Sequence, residues 1–494
     1  MLSRREILAL AGGVTLLPAA CRKAERSSGP VILNDIHSQL NSTRVSRLVR
    51  PTDLGQLEAT IADAARKSIP VSVSGGRHSM GGQQFGTDTV HLDMRSLRRV
   101  LAFDRDRGLI EMEAGIQWPE LVEWCDRNQR GSGPRCGIRQ KQTGADRLTL
   151  GGALASNIHG RGLSYPPIVA DVVSLVLLDA RGDLKQCSRT ENPELFSLIV
   201  GGYGCFGVVY SLVLKLAPRQ IVERVVEVRS IQGLDSAFEE RIEDGFLFGD
   251  FQFKTDESAE DFLETGVFSC YQPLAQGAPL PALRRRLPPW RWRKLLELAH
   301  TDKARVFEEY SSYYLTTSGQ SYWSDTHQLS DYIDDYHAWL DRRSGADVAG
   351  TEMISEVYVP RSRLGEFMGA AAEAFRRAGV NVIYGTVRLI DKDDVTFLPW
   401  ASDAWACIVF NFHVEHSEDG IAKARDQFRL LIDLALEQGG SYFLAYHRWA
   451  TRDQVEACYP QMPEFLRHKL NWDPDERFQS DWYRHYRQMF AGDL

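Results

Sequence analysis

Three clusters of small residues, each set beside a strand-like run, constrain this chain more than any other feature. Val71-Ser72-Val73 alternates as a half-buried strand does and runs directly into Ser74-Gly75-Gly76-Arg77-His78-Ser79 and on to Gly81-Gly82-Gln83. Glycine lets successive backbone N–H groups turn towards one point, and such a nest receives an anion. The same residues also make a plain tight turn, and this cluster alone does not choose. The second cluster runs from Thr143-Gly144-Ala145 through Thr149-Leu150-Gly151-Gly152 to Ser156-Asn157-Ile158-His159-Gly160. Its small side chains let backbone approach a planar or phosphorylated ligand closely.

The third cluster, Gly202-Tyr203-Gly204-Cys205-Phe206-Gly207, matches the dinucleotide fingerprint GxGxxG. That fingerprint requires a helix next, whose N-terminus faces the pyrophosphate. Here Val208 to Leu216 is β-branched and is stopped by Pro218, so it reads as a strand and the NAD-type reading fails.

In this order the three clusters resemble the flavin domain of the vanillyl-alcohol oxidase family, the FAD-linked oxidases with a PCMH-type FAD-binding domain. The resemblance covers roughly 47–218 and returns near the end, where Asp473-Pro474 and Phe478 resemble the family's closing DP-x-x-x-F segment. It implies an α+β fold of two domains: a split FAD-binding domain and an antiparallel-sheet substrate or cap domain. It divides the chain into 1–30, an export signal and linker; 47–218, the FAD domain; 219–440, the cap; and 441–494, a segment closing the active site. Carried over by match, the FAD binders are Ser74, Gly75, Gly76, Arg77, His78, Ser79, Gly144, Ala145, Thr149, Gly152, Ser156, Asn157, Gly160 and Val209. In relatives with Gly-x-His-Ser the histidine bonds covalently to the flavin, so the resemblance implies FAD linked through His78. Arg77 departs from the glycine many relatives carry there. Cys136 lies near the second attachment point of doubly linked relatives, but its neighbours do not match their Cys-Pro pattern, and a buried thiol is expected.

His159-Gly160-Arg161-Gly162, Gly439-Gly440 and Tyr459-Pro460 look like the branch holding decaprenylphosphoryl-ribose oxidase and the sugar-lactone and alditol oxidases. That branch oxidises CH–OH carbons of sugars, polyols or lactones, with flavin carrying the redox chemistry and oxygen or another acceptor reoxidising it. Where the ribose oxidase has a lysine before the terminal segment this chain has Tyr446, so that base does not transfer. Candidates must come from pocket-forming strands. Asn411, His413 and Glu415 share one face of Phe410 to Glu415, and His413 suits a general base near neutral pH, or a hydrogen-bonded core histidine. Glu356 and Arg388 occupy similar strand positions, and Tyr446 and His447 complete the shortlist. His413, Glu415 and His416 make a poor metal set, because on a strand His416 points the other way.

The remaining features set context. A net charge of −8 argues against nucleic acid. No apolar stretch of roughly 18 residues offers a membrane span. Arg4-Arg5 before the apolar run from Ile7 to Ala20 reads as a twin-arginine export signal, implying the periplasm or envelope, with a lipid anchor at Cys21 as a looser resemblance. An aromatic and arginine-rich insert, 273–341, reads as a pocket lid, a membrane-surface patch or a solvated helical excursion. Two rivals to CH–OH oxidation stand: C–N oxidation, as in cytokinin dehydrogenase, whose Gly-His-Ser-x-x-Gly-Gln run resembles Gly76 to Gln83, and a non-redox exported protein that keeps the fold.

Overall fold

The structure is a computed structural model that describes residues 25–27, 29–129, 135–275, 277–279, 285–330 and 336–494. The run from Ile7 to Ala20, read above as an export signal, and Cys21 lie outside them.

The first lobe is a four-stranded sheet with spatial order β1-β2-β4-β3: β1 (Glu25–Arg26), β2 (Arg47–Arg50), β3 (Val71–Ser74) and β4 (Val90–Asp93). The last three pair in parallel, so a crossover must link them, and α1 (Leu54–Arg66) supplies it. Asp53 caps α1 by accepting from the Gln56 N–H, and Leu57, Thr60, Ile61 and Ala64 recur on its buried face at helical spacing. The second lobe is an antiparallel five-stranded sheet, ordered β8-β7-β9-β6-β5. Its strands are β5 (Val100–Asp104), β6 (Leu109–Glu113), β7 (Val172–Leu178), β8 (Leu184–Ser188) and β9 (Val208–Lys215), and a short α2 (Leu150–Ala155) precedes β7. The GxGxxG run does lead into a strand, β9. Gly207 there has φ +150°, and a Cβ on it would lie 2.6 Å from the Leu178 carbonyl.

The cap is one antiparallel sheet of eight strands, ordered β13-β10-β12-β11-β15-β16-β14-β17. They are β10 (Ile221–Ser230), β11 (Phe248–Phe253), β12 (Thr265–Pro273), β13 (Ser321–Trp323), β14 (Gly350–Pro360), β15 (Val382–Ile390), β16 (Trp405–Glu415) and β17 (Ser441–Tyr442). One face is a hydrophobic core. Phe251, Phe253, Phe268, Val387, Phe410 and Phe412 pack there against α6 (Leu364–Ala378) and α7 (Glu418–Glu437), with Phe375 edge-on to Phe410 and Phe428 edge-on to Phe412. Each such phenylalanine contributes about 2–3 kcal/mol by leaving water.

Three sequence expectations shift. The first sheet begins before residue 47, because β1 adds to the edge of β2. The cap sheet extends past 440, because β17 pairs with β14 before the chain turns back. The insert is not wholly solvated: its α3 (Pro289–Thr301) buries Leu295, Leu298 and Ala299 and its α5 (Tyr336–Ser344) buries His337 and Leu340, whereas α4 (Lys303–Leu315) buries none. The closing segment carries α8 (Met462–Trp472). Asp473 then accepts from the N–H groups of Arg477 and Phe478, and Phe478 bridges in parallel to Val71 on β3. No described helix is long and apolar enough to cross a membrane.

Candidate active site

The first two glycine clusters are pressed together. A Cβ on Gly75 would fall 1.9 Å from the Thr149 hydroxyl, and one on Gly76 would fall 2.3 Å from the Arg147 carbonyl, so only glycine permits this contact. Arg77 holds φ +61°, a left-handed conformation that glycine adopts more readily. Thr149 caps α2 through the Gly152 N–H at 3.2 Å, and Gly144 has φ +88°. Gly160 lies against the Lys141 carbonyl, Ser156 ends α2, and half-buried Val209 pairs with Leu177 on β7. The Ala145 carbonyl accepts from Gln142. Ser74 donates to or accepts from His91 Nε2 at 2.8 Å.

Asn157 departs from its expected role. Its side chain is spent on Asp393 at 2.8 Å and on the Val169 N–H at 3.1 Å, so it fixes the cap to the FAD lobe rather than pointing into the clusters. Its φ of 47° is the left-handed region asparagine tolerates.

His78 is buried beside a residue the sequence did not single out. Its Nδ1 lies 2.8 Å from His37 Nε2, and its Nε2 is buried without a hydrogen-bond partner. Burial, with His37 and Arg147 nearby, holds the His78 pKa well below the usual histidine value. Burial likewise pushes His37 down to about 4. Both rings are therefore neutral near pH 7. An orphaned, neutral ring nitrogen beside two interlocked glycine clusters fits a planar, phosphorylated cofactor.

The cap sheet turns its second face to these clusters. Paired residues on neighbouring strands share a face, and the register sets Glu356 opposite Val409, Tyr358 opposite Cys407, Arg388 opposite Cys407 and Thr386 opposite Val409. This face is polar and buried. Asp250 Oδ1, Gln252 Oε1, Ser269 Oγ, Thr386 Oγ1, Arg388 Nε and Asn411 Oδ1 all lack a hydrogen-bond partner there. Buried polar atoms are ordinarily satisfied, so this row of orphans on one face offers partners to a polar ligand or to ordered water.

At its centre Glu356 Oε1 lies 2.8 Å from His159 Nε2 and accepts from the Tyr358 hydroxyl at 2.6 Å, while Oε2 accepts from the Tyr446 hydroxyl at 3.2 Å. Burial raises the Glu356 pKa, but His159, the Tyr358 hydroxyl and Arg388 outweigh it and hold the carboxylate below its usual range. Burial first, then the Glu356 charge, drives Tyr446 and Tyr358 well above the usual phenol value. Arg388 donates to the Thr143 hydroxyl at 2.6 Å, which ties the cap to the second cluster.

Of the six expected catalytic residues, Glu356, Arg388 and Tyr446 come together. Asn411 sits further along the same face, opposite Ile354. His413 is further still, opposite Glu352, with its Nδ1 3.9 Å from that carboxylate. His447 is turned into the core against Phe428, Tyr442 and Trp449, where burial pushes its pKa down to about 3. His416 follows the end of β16 and meets the Thr351 hydroxyl at 2.9 Å. His159, Tyr358 and Cys407 were missed as a group. The alternation of β14 signals Tyr358, two residues from Glu356, whereas no local pattern joins His159 to Glu356.

A PCMH-type flavin lobe covered by an antiparallel cap with a polar inner face defines a class, the two-domain flavoproteins. Residues 45–188 match the model of the FAD binding domain. That domain's cofactor is FAD. The chain is 29% identical over 171 residues to L-gulonolactone oxidase of Mus musculus, covering 34% of this chain and 37% of that one. With cytokinin dehydrogenase 3 of Oryza sativa subsp. japonica it shares 29% over 178 residues, 35% of this chain and 32% of that one. Those alignments therefore span about a third of either relative. L-gulono-1,4-lactone dehydrogenase of Mycobacterium tuberculosis is 24% identical over 454 residues, 89% of this chain and 95% of its own.

Proposed function

We propose that the protein is an FAD-dependent oxidoreductase that removes a hydride from a CH–OH carbon of a sugar, polyol or aldonolactone-like substrate. The observation that carries this reading is the row of buried, unpartnered polar atoms on the cap face, from Asp250 to Asn411, leading to the Glu356 group. A polyhydroxylated molecule supplies both donors and acceptors to such a row. The full-length similarity to a lactone dehydrogenase supports it, whereas the cytokinin dehydrogenase similarity is confined to about a third of the chain.

FAD supplies the hydride acceptor when bound; the nest around Gly75, Gly76 and Ser79 is the proposed cradle, and His78 Nε2 the proposed point of covalent attachment. Glu356, held ionised, takes the proton of the reacting hydroxyl. His159 fixes its Oε1, and Arg388 balances charge developing on the substrate oxygen. Tyr446 remains protonated and orients the hydroxyl. Oxygen or another acceptor completes turnover. Export through the twin-arginine route, proposed from the sequence, is tested by fractionating cells that carry Arg4→Lys with Arg5→Lys.

An anaerobic screen of polyols, aldoses, aldonolactones and N-substituted adenines, followed by flavin absorbance, tests the reading. Bleaching by a hydroxylated carbohydrate is expected. Bleaching by the adenines alone overturns it in favour of C–N oxidation.

A further inference from the structure

We propose that His300 Nε2, His413 Nδ1 and Glu352 Oε1 form a binding site for a borderline divalent cation of the zinc type, apart from the Glu356 group. Glu352 lies on β14 four residues before Glu356, about 13 Å away along an extended strand. His300 comes from the insert helix α3, His413 from β16, and the three donor atoms all lie within 4.8 Å of one another. Glu352 Oε1 is 2.9 Å from His300 Nε2 and 3.9 Å from His413 Nδ1. All three atoms are buried, and none has a well-aligned hydrogen-bond partner. Converging lone pairs without that alignment are what a cation needs. Donors about 2.0–2.2 Å from a tetrahedral zinc stand about 3.4 Å apart, between the two distances seen here.

The surroundings orient this set. His337 Nδ1 of α5 lies 2.8 Å from Glu352 Oε2, and the Tyr336 hydroxyl donates to the same oxygen, leaving Oε1 to face the two histidines. A Cβ on Gly350 would lie 2.4 Å from the His413 ring, so glycine at that position makes room for the ring. The Glu356 group differs: its Oε1 already holds aligned hydrogen bonds to His159 and Tyr358. Two imidazoles and one carboxylate match the donor preference of zinc, cobalt or nickel rather than calcium or magnesium. Bound there, the ion cross-links the insert to two strands of the cap and withdraws His413 from proton transfer. The site stands whether or not the redox reading holds.

The test is metal analysis of the flavin-loaded protein after equilibrium dialysis against Zn(II), with Co(II) as a spectroscopic probe beyond the flavin bands. About one equivalent per chain, and an intense low-coordinate Co(II) spectrum, are expected. His300→Gln and Glu352→Gln should lose the ion, and His337→Ala should weaken its affinity roughly 10–100-fold. Flavin content and circular dichroism establish that each variant folds, and His413→Gln replaces any that does not. No Zn(II) retained by the wild type, or equal retention by His300→Gln, overturns the proposal, whatever the substrate screen returns.

Discussion

His37 Nε2 lies 2.8 Å from His78 Nδ1, so the two rings share one proton and leave His78 Nε2 as the nitrogen without a partner. If the proposed attachment forms, the pair leaves Nε2 as the nitrogen that takes it. Replacing His78 with alanine should leave any FAD non-covalently held, so that acid precipitation releases the yellow colour from the chain. His37→Gln should retain the site but slow attachment, seen as a lower fraction of flavin fluorescence migrating with the denatured polypeptide. Colour that stays with the His78→Ala chain would exclude the linkage.

The Glu356 group predicts a graded loss of flavin reduction. Glu356→Gln keeps the shape and most hydrogen bonds but cannot take a proton, so the anaerobic reduction rate should fall by about 10²–10⁴-fold with little change in thermal midpoint. Tyr446→Phe removes one oriented hydroxyl and should cost less, on the order of tenfold. His413→Asn should leave the reduction step far less affected than Glu356→Gln. Stopped-flow absorbance with the best substrate of the screen ranks the three, and a larger loss for His413→Asn would displace Glu356 as the base.

Much of this arrangement is written locally in the chain, and some is not. β3 ends at Ser74 because alternation gives way to glycine, and β9 ends at Lys215 shortly before Pro218; both are short-range signals. Period-two alternation put Glu356, Arg388 and His413 on inward-facing positions, but parity says nothing about distance along a face. The pairing of Glu352 with His413 is what separates His413 from Glu356, and register is a long-range property. His447 looked like a neighbour of Tyr446 only by sequence. His37 lies in an irregular segment, and the helices that carry His300 and His337 show a buried face but not what it meets, so only the fold brings these residues to the sheet.

His91 predicts the acid response of the first lobe. It is wholly buried on β4 between the hydroxyls of Ser72 and Ser74, each 2.8 Å from a ring nitrogen, and burial pushes its pKa from 6.5 down to about 3. The unfolded chain takes up a proton below about pH 6.5 that the folded one refuses. The stability from the neutral ring is therefore full above that pH and is lost as pH falls towards 3. At pH 5 the loss is about 2 kcal/mol. Unfolding curves at pH 7 and pH 5 should show His91→Asn less sensitive to acid than the wild type by about that amount, whatever its absolute stability.

Lys469 and Asp473 predict how the closing segment is held. Both side chains are fully buried and form an ion pair four residues apart, and Asp473 also accepts from the N–H groups of Arg477 and Phe478. That places Phe478 beside Val71, at the strand that delivers the first glycine cluster. Asp473→Asn leaves an uncompensated buried ammonium, and the expected cost is about 3–5 kcal/mol. Lys469→Met with Asp473→Asn removes both charges and should recover part of that loss, since the desolvation penalty disappears with them. Because the strand and the cluster are continuous, the single variant should also release FAD at lower temperature than the wild type. Following unfolding by circular dichroism and cofactor release by flavin fluorescence separates the outcomes: coincident early transitions support the coupling, and unchanged flavin release would show the segment to be independent of the cradle.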